Sequence, residues 1–187
     1  MFLSNISMTD DGAEHILGKD PKQKGAVLEN LLGMFSYFKT TEMFDFVANI
    51  FANVSSMKGG RCWMIENNSI ITSIFKNLDD PETNKHRMKH LIEVVRNICF
   101  EYEKYEKDFQ QFNLITRICR VLVKEHGLTE HSLPASWESC NGIAKKELFL
   151  NTIEKENTRN LLDALVLLAN LKTFLREMDS LRIYDLL

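Results

Sequence analysis

Phe51-Ala52-Asn53-Val54 and Val94-Val95-Arg96-Asn97-Ile98 are the same phrase written 44 residues apart: apolar residues run up to an asparagine, and an apolar residue follows. The phrase also occurs at Phe2-Leu3-Ser4-Asn5-Ile6, 48 residues before Asn53, and at Leu167-Leu168-Ala169-Asn170-Leu171, 73 residues after Asn97. A period of ~40–47 residues marks a helical unit stacked on copies of itself. The last interval then holds one repeat and an insertion of ~30 residues. Stacked helical repeats bury a continuous core between neighbours and present an extended binding surface.

Between the phrases, the apolar spacing resolves three helical segments per repeat. Thr9 to Gly18 opens on Thr-Asp-Asp, a cap with acids at the positive helix end, and stops at glycine. Lys24 to Phe38 carries Val27, Leu31, Leu32, Met34, Phe35 and Phe38, a stripe of helical period. Thr40 to Val54 is apolar around most of its circumference, as a helix packed on both sides must be. The second copy reads Gly60–Glu66, Ser69–Leu78 (ended by Asp79-Asp80-Pro81) and Glu82–Glu103. Lys104–Phe112 and Leu114–Glu125 follow.

Turn signals then crowd residues 126–146: His126-Gly127, Ser132-Leu133-Pro134 and Cys140-Asn141-Gly142. This reads as a surface insertion in an otherwise single domain spanning 1–187. Helix resumes near Glu147, with a break near Asn157, and reaches Leu171. Thr173–Met178 and Leu181–Leu187 close the chain. The chain opens on the last phrase of a repeat and closes on a partial one. Phe2, Leu3, Ile183 and Leu187 are therefore expected to be partly uncovered. The ends suggest either a reduced version of something longer or surfaces covered by a partner.

Composition excludes several classes. The 187 residues are 44% hydrophobic, enough for a core, and carry 23 basic against 26 acidic side chains, a net charge of −3. That balance argues against a dedicated nucleic-acid binder. Eight glycines and three prolines are too few for a turn-rich β-sandwich. Cys62, Cys99, Cys119 and Cys140 form no CxxC pair and read as reduced thiols, implying a cytoplasmic or nuclear compartment. No signal peptide and no membrane-spanning apolar run is present, which predicts a soluble protein. The sequence holds no GxSxG, GxGxxG or GxxxxGK[ST], so it is read as a non-enzyme needing no cofactor.

At this level the sequence resembles armadillo repeats, whose third helix carries such an asparagine toward a concave face. The expected fold is an all-α, armadillo/HEAT-like right-handed helical solenoid of three to four repeats, some incomplete. Val94-Val95-Arg96-Asn97-Ile98-Cys99-Phe100-Glu101, followed by Tyr105-Glu106-Lys107, is similar to the "LRNCCFE…HE" stretch of the HGH-one family (family with sequence similarity 203). Leu133-Pro134 matches that family's Leu-Pro-rich loop. Asn157-Thr158-Arg159-Asn160 through Leu168 resembles its next long helix, and Phe174-Leu175-Arg176-Glu177 to Ile183-Tyr184-Asp185-Leu186-Leu187 its ending. The resemblance implies a chaperone of translation elongation factor 2 that works with the cytosolic chaperonin. It also shows departures. The family's Arg-Arg-Gly-Gly stretch is Arg87-Met88-Lys89-His90 here, and N-terminal repeats and an acidic C-terminal tail are missing.

The candidate groove follows from helical spacing. Asn49 and Asp45 lie one and two turns before Asn53; Glu93 and Lys89 stand likewise before Asn97. With Arg96 and Asn170 these form a polar floor able to hydrogen-bond a client backbone, or else each asparagine ties neighbouring helices together. Residues 85–90 form a basic cluster that either meets an acidic client or ribosomal RNA, or is a solvated face. His86 and His90 lack a third ligand for zinc, so no metal site is expected. Trp63 reads as core, and the charged run Glu101–Asp108 as solvated. Trp137 in the insertion is either an exposed anchor for a partner or a plug folded back on the body. Beside the chaperone reading stand a generic peptide-binding armadillo scaffold and a ribosome- or RNA-associated factor.

Overall fold

The computed structural model describes residues 1–37, 44–126 and 155–183. Among the described residues there is no strand, and the helices are α1 (Phe2–Ile6), α2 (Asp10–Leu17), α3 (Ala26–Tyr37), α4 (Phe46–Ser56), α5 (Lys58–Glu66), α6 (Asn68–Asp79), α7 (Lys85–Ile98), α8 (Glu106–Gln111), α9 (Leu114–His126), α10 (Lys155–Leu168) and α11 (Lys172–Ser180). The all-α expectation holds, and the element order is compatible with a helical repeat: α2–α4 is followed by α5–α7 with the same three-helix rhythm. The insertion at 126–146, with Trp137, and the terminal Leu187 lie outside the described residues, apart from the backbone of His126.

Two compact units make up the chain, Met1–Glu101 and Tyr102–Leu187. In the first, α4 lies between α1 and α7, so Val47, Ile50, Phe51 and Val54 are all fully buried. Facing them, Leu91, Val94, Val95 and Ile98 of α7 are equally covered. That explains the broad apolar face of both phrase helices: each packs on two sides. In the second unit, α9 packs against α10 and α11, and Ile115, Ile118 and Leu122 of α9, Leu161, Ala164 and Leu168 of α10 and Phe174 of α11 are all buried.

Local chemistry sets the helix limits. Thr9 accepts the Gly12 amide at 3.2 Å and starts α2, and Gly18 ends it at a φ of 95° that non-glycine residues rarely adopt. Asn67 caps α6, accepting from Ser69 and Ile70. The long segment expected over 82–103 is shorter, because Asn84 caps α7 by accepting the Arg87 amide at 2.9 Å and the far end tightens into a 3-10 turn at Cys99–Glu101. The described part of the helix expected from Glu147 begins at Lys155, with Asn157 buried in its first turn; residues 147–154 lie outside the described residues.

Two expectations about exposure are corrected. Ile183 is only 2% exposed, whereas Phe2 is 77% exposed as foreseen and Leu3 is half-buried. Glu101 is not solvated: it is 8% exposed and pairs with Arg61, whose Nε and Nη2 donate to Oε1 at 3.0 and 2.8 Å. The same guanidinium donates to the Ser56 carbonyl at 2.7 Å, closing the C-terminus of α4.

A second internal ion pair anchors the start of α7. Arg87, 1% exposed, donates through Nε to Asp45 Oδ1 at 2.9 Å and lies 4.3 Å over the Phe35 ring. Asn84 donates to the other Asp45 oxygen at 2.6 Å. Removing one partner of such a pair leaves a buried, uncompensated charge, at ~3–5 kcal/mol. Arg87→Ala is therefore expected to lower unfolding free energy by that amount, while Arg87→Met with Asp45→Leu costs clearly less than Arg87→Ala alone. Urea denaturation followed by circular dichroism measures both, and a double variant weaker than the single overturns the assignment.

Candidate functional site

Asn49, Asn53 and Asn97 form a ladder of side-chain ties that links α1 to α4 and α4 to α7. Asn53 donates from Nδ2 to Ser7 Oγ at 2.8 Å and to Asn49 Oδ1 at 3.0 Å. Ser4 donates to the same Asn49 oxygen at 2.8 Å. With its oxygen so occupied, Asn49 turns its Nδ2 to His90 Nε2, 3.3 Å away. His90 must then carry its proton on Nδ1, where it donates to Glu93 Oε2 at 2.9 Å. One rung further on, Asn97 donates to Ser55 Oγ at 2.9 Å and, at a longer 3.4 Å, to the Ala52 carbonyl.

The rungs repeat. Ser7 and Ser55 each stand two residues after a phrase asparagine, and each is buried. Each hydroxyl donates to the carbonyl three residues back, Ser4 and Ala52, both at 2.7 Å. That leaves the hydroxyl oxygen to accept from the next phrase helix. Glycines repeat in the same way: a Cβ at Gly12 would overlap the Ile6 carbonyl, and one at Gly60 the Val54 carbonyl. Both glycines follow a phrase asparagine by seven residues, so α1 and α4 turn into α2 and α5 by the same close corner. Both the serines and the glycines carry the same 48-residue offset as Asn5 and Asn53, a signal present in the sequence beside the asparagines.

The structure thus brings Asn49, Asn53, Glu93 and Asn97 together as half-buried neighbours. Both amide nitrogens of the phrase asparagines are engaged in ties, while Asn53 Oδ1 and Asn97 Oδ1 accept no hydrogen bond among the described residues. Asp45 does not join the strip. It precedes the first residue of α4, and its carboxylate turns inward to Arg87. Lys89 and Arg96 are half-buried on α7, and the Arg96 guanidinium stands 5.3 Å over the exposed Phe100 ring. Asn170, in the second unit, makes no such rung: it donates to the Val166 and Leu167 carbonyls and closes α10.

The basic cluster divides. Arg87 and His90 face inward, leaving Lys85 and His86 exposed and Lys89 half-buried. The His86 ring stands edge-on to His90 at 4.8 Å. Trp63 is half-buried against Gly25 rather than wholly in the core. Burial pushes the Cys99 thiol well above its ordinary range, so it stays protonated and unreactive.

The chain belongs to the family described as a domain of unknown function (DUF383), whose model matches residues 1–134. The match takes in α1 to α9 and the whole asparagine ladder. No curated protein and no solved structure matches the chain.

If the rung is a tie, Asn97 and Ser55 act as a unit. Each single alanine variant is expected to cost ~1–3 kcal/mol by stranding its partner, and the double variant less than their sum, with a coupling on the order of 0.5–1.5 kcal/mol. A double-mutant cycle on thermal unfolding reads this directly; strict additivity would show that the bond contributes nothing.

Proposed function

We propose that this chain is a non-enzymatic, cytoplasmic adaptor of armadillo type, a right-handed helical solenoid that holds a client protein along the strip formed by α1, α4 and α7. One observation carries the reading. The phrase helices lie side by side with a repeated polar rung, and each rung keeps one amide oxygen for an outside donor. Asn53 Oδ1, Asn97 Oδ1 and the Glu93 carboxylate make a row of acceptors. Such a row suits the N–H groups of a client backbone or a basic side chain, because its own donors are already committed. The resemblance of Val94–Glu101 to the HGH-one family supports elongation factor 2 as the client and the cytosolic chaperonin as the next station. No described helix is long and apolar enough to cross a membrane.

The alternative clients are assorted linear peptides or ribosomal RNA. The RNA reading depends on cluster 85–90, where Arg87 is committed to Asp45, so it draws on fewer surface charges than the sequence offered. The clients separate in one experiment. The tagged chain is expected to recover elongation factor 2 and chaperonin from lysate, whereas recovery of ribosomal subunits supports the RNA reading. Changing Asn53 and Asn97 together to Ala is expected to weaken binding of purified elongation factor 2, by up to about tenfold per site. Binding is titrated at low temperature, where circular dichroism confirms a native helix content. Lower melting temperature with unchanged affinity there would leave the asparagines as helix ties alone and end their client-facing role.

A further inference from the structure

The hydrogen bonds between α1, α4 and α7 run one way. Ser7 has a single hydroxyl proton and donates it to the Ser4 carbonyl at 2.7 Å. Its oxygen can therefore only accept, so Asn53 must turn its Nδ2 amide to it, at 2.8 Å. The same Nδ2 faces Asn49 at 3.0 Å, so Asn49 must present its oxygen there. That leaves the Asn49 amide pointing at His90 Nε2, 3.3 Å away, and the proton of a neutral His90 on Nδ1, against Glu93 Oε2 at 2.9 Å. A backbone carbonyl on α1, which cannot donate, thus fixes the tautomer of a histidine on α7.

A second proton, on Nε2, has no acceptor in this arrangement. It meets the Asn49 amide donor to donor. Turning Asn49 over relieves that contact but sets its NH2 against the NH2 of Asn53. Turning Asn53 over passes the conflict to Ser7, whose hydroxyl must then leave the Ser4 carbonyl. The conflict can be moved along the chain but not removed, so one bond of the joint is lost wherever it comes to rest. On the other side of the ring, Glu93 holds the imidazolium by a charge-assisted hydrogen bond, so His90 stays with α7 and the loss falls on α4 and α1. The remaining ionisable groups near this chain are few. The His86 ring stands edge-on to His90 at 4.8 Å on the same helix. On α4, Asp45 lies one turn before Asn49 and is already paired with Arg87. The side chains of α1 (Phe2–Ile6) are not ionisable, and no ionisable side chain of α5 or α6 bonds or pairs with His90.

We propose that His90 is a proton-operated switch on the joint between α1, α4 and α7: with one proton it completes the chain of ties, and a second proton taken from water onto Nε2 breaks it. The inference rests on these ties alone and holds whatever the strip of the proposed function binds. The test is NMR spectroscopy of the full chain, labelled with nitrogen-15, between about pH 7.5 and about pH 5.5, across the ordinary histidine range. At the upper pH, long-range proton–nitrogen spectra are expected to show His90 as the Nδ1–H tautomer. As His90 titrates, the side-chain amide signals of Asn49 and Asn53 are expected to shift with it. Protection of the Asn5 and Ser7 backbone amides, corrected for intrinsic exchange, is expected to fall on the order of tenfold, while α7 keeps its protection. His90→Gln can accept from Asn49 and donate to Glu93 without titrating, so that variant is expected to lose the pH response and keep the joint closed. His86→Gln is expected to respond as the unchanged chain does. Circular dichroism checks that both variants are folded, and the tautomer and titration of the unchanged chain test the proposal without them. Four results overturn it: an Nε2–H tautomer at the upper pH, a His90 that stays neutral at the lower, Asn49 and Asn53 signals that do not move while His90 titrates, or an unaltered pH response in folded His90→Gln.

Discussion

The register of the phrase helices depends on a small polar device: an asparagine amide that donates to a serine hydroxyl, which in turn donates to its own helix. The apolar faces that α4 and α7 bury, with Ile50 and Phe51 on one and Val94 and Val95 on the other, pack without direction and would tolerate sliding by a turn. The Asn53–Ser7 and Asn97–Ser55 bonds do not. A slip would strand a buried hydroxyl and a half-buried amide together, and each unsatisfied group costs ~1–3 kcal/mol. The packing energy is therefore supplied by the apolar faces and the alignment by the rungs.

Two ion pairs hold α7 at its ends while the ladder holds its middle. Arg87 reaches from the first turn to Asp45 at the start of α4, and Arg61 joins Glu101, just past the last turn, to the end of α4. Both pairs are nearly excluded from water, so their worth lies more in specifying one arrangement than in net stability. The result is a polar strip whose donors are fixed by ties. Its remaining chemistry is that of an acceptor, a narrower offer than free asparagines would make.

Much of this was legible from residue spacing. Helix content, the phrase positions and the three-helix rhythm follow from apolar periodicity, because period 3.6 and period 2 cannot be confused over segments this long. The sharing of one face by Asn49 and Asn53, and of another by Glu93 and Asn97, also follows, since residues four apart lie together on a helix. Other readings failed for identifiable reasons. Asp45 counts as a groove residue only if α4 extends through it, and α4 begins one residue later. Arg87 and Glu101 look solvated because charge is usually solvated, and nothing local reveals a partner 42 or 40 residues away.

The sequence by itself determined an all-helical chain, the places where asparagines recur and the faces that must be buried, because these are properties of periodicity and local capping. Only the tertiary structure decided what the asparagines do. A side-chain amide donates through its nitrogen and accepts through its oxygen, and what the nitrogen ties to is set by what stands within about 3 Å. Here that neighbour is Ser7 for Asn53 and Ser55 for Asn97, each delivered by a helix more than 40 residues earlier in the chain. Each serine is made available by a hydroxyl that donates to its own backbone. Long-range pairing of this kind depends on how whole helices stack, and no local pattern encodes it.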